Sequence, residues 1–229
     1  MSEGRSRRLA ERYLWFALGV AVNSFGIALI TKASLGTSPI SSVPYVLDLA
    51  TPLTFGETTF LANTLYVALQ AALLRRDFKP VQLLQLVVNL AFSALIDVSM
   101  GLLSWLDPQG LPACLASLLA GCCVLGFGVA LEVAPNVVVV PGEGMVRAIS
   151  AVTRRPFGRC KVAFDVSLVA LACATSFALF GGLEGLGAGT VVSALLVGRV
   201  CGLCNRRLPL LARVAALSRD PSGAPDEMV

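Results

Sequence analysis

The chain has 229 residues, 56% of them hydrophobic and 14% charged, with a formal charge of +4 and a mean hydropathy of +0.79. That balance excludes an ordinary soluble domain. The lack of any histidine excludes Ser-His-Asp and Cys-His nucleophile arrangements, the H-E-x-x-H zinc site and most transition-metal sites.

Residues 1–12 are polar and basic, with Arg5, Arg7, Arg8 and Arg12, and read as a cytoplasmic segment. The apolar run 14–30 follows. At about 17 residues it exceeds the roughly 7 to 15 of a secretory h-region, so it reads as an uncleaved first helix. Five more runs, 58–74, 81–106, 115–131, 162–180 and 185–204, approach the roughly 20 residues that a bilayer core about 30 Å thick requires. They are continuously apolar rather than alternating, so spanning helices are expected, not barrel strands.

Two stretches after the first and fourth runs are too polar for a span and too apolar for a plain loop. The first holds Gly36, Thr37, Ser38, Pro39, Ser41 and Ser42; the second holds Pro141, Gly142, Glu143 and Gly144. Each has a proline where a helix begins. They are expected to form short half-helices. Re-entering the membrane, their free N–H ends would face inward from opposite sides; the alternative is a pair of interfacial helices lying flat on opposite faces.

The two stretches are copies. Residues 19–69 return 102 positions later as 121–171, with Gly19/Gly121, Phe25/Phe127, Gly26/Gly128, Pro39/Pro141, Phe55/Phe157 and Gly56/Gly158 identical. Basic residues cluster before the first run and after the second, fourth and sixth, which puts 16 of 18 on one side, Lys32 and Arg199 being the exceptions. The positive-inside rule then makes both termini cytoplasmic. The expected fold is all-α and polytopic: six transmembrane helices in two inverted three-helix repeats, 13–106 and 111–204, each with a half-helix after its first span. Residues 205–229 are a cytoplasmic tail, amphipathic over 208–217 and then disordered around Pro221, Gly223 and Pro225. The positive charge requires no nucleic acid, because basic helix ends meet anionic lipid.

Ionisable residues at membrane depth are functional candidates. Asp97 lies late in the third span, open between a coupling role and a structural hydrogen bond. Asp165 lies one turn into the fifth, spaced to pair with Lys161. Glu143 either caps its own half-helix or holds a proton or cation, and Glu132 is a further acid. Solute-binding candidates are Gly36, Thr37, Ser38, Ser41, Pro141, Gly142, Glu143 and Gly144, and coupling candidates are Asp97, Glu143 and Asp165. Asn23, Asn63 and Asn89 read as helix-joining amides. The seven cysteines are odd in number and mostly within spans, and Cys201-x-x-Cys204 reads as small-residue packing. No metal and no cofactor is expected.

The run Leu35-Gly36-Thr37-Ser38-Pro39, the Thr54-Phe55-Gly56 before the second span, Asn89 with Leu95-Ile96-Asp97, Pro141-Gly142-Glu143-Gly144, and the stretch from Gly189 to Gly198 together resemble the YczE/YyaS/YitT family of bacterial integral membrane proteins. The resemblance covers about residues 13–204. It implies a bacterial cytoplasmic membrane protein in which Asp97 matches an acidic residue late in the third span, Asp165 a usual glutamate in the fifth, and Glu143 a usual aspartate. Arg199 follows Gly198 where that family generally has proline, and no substrate is implied.

Two functions follow as expectations. One is a small secondary transporter or exporter of a small solute or ion, its site between the repeats. The other is a non-catalytic accessory protein that acts with a membrane partner, as a substrate-capturing subunit or an assembly factor; homo-oligomers fit either. An intramembrane enzyme is not expected, since neither paired carboxylates nor a cofactor fingerprint is present.

Overall fold

A computed structural model describes residues 2–218, and over that range the chain is all-helical. The tail around Pro221, Gly223 and Pro225 lies outside the described residues. In chain order the helices are α1 (Ser2–Lys32), α2 (Ser42–Ala50), α3 (Phe55–Leu74), α4 (Leu84–Leu102), α5 (Leu111–Val133), α6 (Pro141–Thr153), α7 (Phe157–Phe180), α8 (Ala188–Arg207) and α9 (Pro209–Ala216), with a 3-10 turn, Pro39–Ser41, leading into α2.

Five helices are long and apolar enough to cross a membrane, over Arg8–Lys32, Pro80–Leu102, Leu111–Val133, Phe157–Phe180 and Ala188–Arg207. The sixth expected span lies in α3, which has 20 residues but carries Glu57, Thr58, Thr59, Asn63, Thr64 and Gln70, so its mean hydropathy falls below that of the others. Its outward side is nonetheless apolar, with Leu61 and Leu65 each 57% exposed, while Thr58, Asn63 and Gln70 are buried. The same inversion holds for α4, where Val87 and Leu90 face out and Gln85, Asn89 and Ser93 face in. Asn63 donates to Asn89 Oδ1 at 2.9 Å, and Asn89 donates to the Phe60 carbonyl at 3.0 Å, so the amides join α3 to α4 as expected. Apolar outside and satisfied polar inside is the arrangement lipid imposes.

The centre of the fold is the α1–α5 pair, its most extensive helix contact. Four glycines bring the two backbones together: Gly19 lies on the backbone of Glu132, Gly26 on Leu125, Gly121 on Ile30 and Gly128 on Asn23. As the α1 number rises the α5 number falls in step, so the helices run antiparallel. Shifting by the repeat offset exchanges partners: Gly19 on Glu132 becomes Gly121 on Ile30, and Gly26 on Leu125 becomes Gly128 on Asn23. A side chain at any of these positions would overlap the opposing helix. α4 then packs on α1 and α8 on α5, while α6 lies against α3 and α2 against α7.

The halves differ in one respect. α3 packs closely on α4, whereas the corresponding α7 and α8 barely touch. The gap is a cleft of about 440 Å³ lined by Val162, Asp165, Val166 and Val169 on α7 and by Thr190, Val191 and Leu195 on α8. At the end of the chain, α9 buries Leu211 and Val214; Leu211 joins Ala130 and Leu131 of α5, with Trp15, Cys201 and Cys204 alongside.

Candidate functional site

Each half-helix is buried at its start and exposed at its far end. In α2, Ser42, Pro44 and Val46 are buried and Leu49 and Ala50 exposed; in α6, Pro141, Gly142 and Gly144 are buried and Ala151, Val152 and Thr153 exposed. The two starts touch: a Cβ at Gly142 would collide with the side chain of Ile40, its own counterpart in the other copy.

Around the first half-helix the hydroxyls are engaged. Thr31 and Thr37 share a hydrogen bond of 2.8 Å, Ser38 donates to Ser41 at 2.9 Å, and Ser42 donates to the Pro39 carbonyl at 2.6 Å. α8 holds the segment from the side. The Thr37 amide donates to Thr190 Oγ1 at 3.2 Å, Ser193 donates to the Thr37 carbonyl at 3.2 Å, and the Gly189 amide donates to the Leu35 carbonyl at 2.8 Å. Gly36 has φ +117°, and a Cβ there would strike Thr190 Oγ1, so the turn admits only glycine. Gly36, Thr37, Ser38 and Ser41 are thus all buried around the start of the first half-helix.

The second half-helix is supported by amides. Gln70 and Gln85 exchange hydrogen bonds of 3.3 Å, and Gln70 donates to the Pro141 carbonyl at 3.0 Å. Gly144 lies against both, a Cβ there coming within 2.7 Å of Gln70 Oε1 and 2.9 Å of Gln85 Oε1. Glu143, partly buried one turn in, lies within electrostatic reach of Lys161, Arg147 and Asp165. Lys161 donates to Asp165 at 2.7 Å, the expected i,i+4 pair.

Asp97 stands apart from this constellation. Thr54 donates to one of its oxygens and the Gly56 amide to the other, both at 2.7 Å, so it holds the first turn of α3 together with the Thr54/Glu57 capping box. Arg199 is exposed and forms no pair with it. Glu132 is different again. It is 2% exposed, Asn23 Nδ2 donates to its Oε2 at 2.7 Å, and its Oε1 is the one buried side-chain oxygen among the described residues without a hydrogen bond. Sequence named Glu132 as an acid without ranking it. The signal was the mismatch between copies: its counterpart is Ile30, and that of its partner Asn23 is Leu125.

Residues 10–206 match DUF6198, a family of unknown function. The chain belongs to that family. No curated protein and no solved structure matches. The match runs from the start of the first membrane helix to the end of α8, so both half-helices and the acids between them lie inside the DUF6198 region.

Proposed function

We propose that this DUF6198 protein is a small secondary transporter or exporter of a small solute, built as six spans in two inverted repeats in the bacterial cytoplasmic membrane with both termini cytoplasmic. The observation that carries the reading is the burial and mutual contact of the two half-helix starts, at Ile40 and Gly142. The antiparallel α1–α5 pair, whose contacts exchange under the repeat offset, supports inverted copies; α3, apolar outward and 20 residues long, supplies the sixth span. Broken helices meeting between inverted repeats are where secondary transporters bind their cargo. Kinship with the YczE/YyaS/YitT proteins belongs to the same proposal.

In this reading the hydroxyl wall of Thr37, Ser38 and Ser41 and the ends of α2 and α6 contact the solute. Glu143, flanked by Lys161, Arg147 and Asp165, carries the coupling charge. Asp97 serves the fold, since both its oxygens are occupied at a helix start. The loose α7–α8 seam, against the closed α3–α4 seam, gives one half freedom to rock.

The test is electrical. Proteoliposomes of the purified chain are screened on a solid-supported membrane against a panel of small anions, cations and zwitterions, with and without a pH gradient. At least one solute class should give a transient current, reduced tenfold or more by Glu143→Gln. Silence across the panel, with co-purification of a stoichiometric membrane partner, would replace this reading with the accessory one.

A further inference from the structure

We propose that Glu132 is a proton-binding site at the cytoplasmic end of the α1–α5 pair, with Asn23 as its fixed hydrogen-bond donor and Oε1 as the atom that carries the proton. Three features of the fold lead there.

The carboxyl is out of water. It is 2% exposed, and the donors near it, the Asn23 amide and the Val140 backbone N–H, are both neutral. The titratable groups that feel its charge are Glu143 on α6, which repels it, and Cys201 on α8. A buried charge needs a partner of opposite sign, and none of these groups supplies one. Oε1 meets no partner in hydrogen-bond geometry and is the oxygen left open to a proton.

The architecture does not require an acid there. Under the repeat offset the same place in the other half is filled by Ile30, which is fully buried and packs on Gly121 as Glu132 packs on Gly19. An aliphatic side chain therefore satisfies the helix pair. Asn23 follows the same logic, because its counterpart Leu125 closes the matching position on Gly26. Polar residues occur as a bonded pair in one copy and as an apolar pair in the other, so the pair serves a ligand rather than the packing.

The position also connects to the rest of the site. Glu143 lies within electrostatic reach of Glu132, Lys161 and Asp165, so a charge that appears at Glu132 is felt at the start of α6. Proton binding needs no transported solute, so this assignment stands or falls separately from the transport reading.

The experiment is infrared difference spectroscopy of the full chain in lipid vesicles, titrated from acid to alkaline pH. Wild type should show a protonated-carboxyl C=O band at neutral pH that disappears as pH rises. Glu132→Gln, which keeps an oxygen for the Asn23 donor, should abolish that band, and Glu143→Gln should retain it. Asn23→Leu, the residue the other copy uses, removes the donor to the charged form and should extend the band to higher pH by one unit or more. A band unchanged in both Glu132→Gln and Asn23→Leu overturns the proposal. So does absence of the band together with an unfolding temperature raised by sodium over choline in wild type but not in Glu132→Gln, which would make the site a cation site. A missing solute current leaves these results untouched.

Discussion

Asp97 accepts from Thr54 Oγ1 and from the Gly56 amide, and in doing so ends the search for partners of the first turn of α3. A carboxylate at a helix N-terminus meets both unpaired N–H groups and the positive end of the dipole. Asp97→Ala should therefore lower unfolding stability by about 1 to 3 kcal/mol, the cost of stranding such donors, and leave any solute response in place. Chemical denaturation together with the current assay checks both halves of that expectation. Sequence placed Asp97 among the candidates because an acid deep in an apolar run is rare. It had no means of showing that Thr54 and Gly56, more than 40 positions away, would fold onto it. For Lys161 and Asp165 the spacing alone sufficed, because four residues on a helix is a distance fixed by the backbone.

At the scale of elements, the half-helices decide the argument. Their existence was legible from prolines at the first turn and from apolar runs too short to span; which of their residues are buried was not. That depends on what covers their starts, namely Gln70 and Gln85 for α6 and Thr190 and Ser193 for the segment before α2, all contributed by distant helices. The contact of Ile40 with Gly142 gives a direct check. In a cysteine-free background, Ile40→Cys with Gly142→Cys should cross-link within one chain through a short bifunctional thiol reagent. Ala50→Cys with Val152→Cys, at the exposed far ends of α2 and α6, should not. Equal yields for the two pairs would remove the meeting of the half-helices. Glycine played a comparable part in the α1–α5 pair. The glycines were visible as repeat-matched positions, but only packing showed that each lies on the backbone of the other helix, where lipid-embedded helices gain most from close approach.

For the whole molecule, the number of crossings separates the readings. Five of the helices meet the length and hydropathy of a span, and α3 is as long but more polar because its buried side carries Thr59, Asn63 and Gln70. Six crossings place both termini on one side; five place them on opposite sides. Reporter fusions or impermeant thiol labelling of single cysteines should find Ser2→Cys and Ser218→Cys on the cytoplasmic side and Gln109→Cys, between α4 and α5, on the outer side. Termini on opposite sides would break the inverted pairing.

The sequence by itself determined the solvent, the helical class, the two copies and the places where the copies pause, because composition, run length and a fixed offset are properties of the chain that no partner alters. Tertiary structure alone decided that the half-helix starts are buried and touch, that Asp97 accepts hydrogen bonds from Thr54 and Gly56 at the start of α3, that α7 stands away from α8, and that Glu132 is buried against Asn23. Each of those depends on which distant side chain fills a given space, and in a membrane, where apolar residues face both lipid and core, hydropathy does not encode that choice.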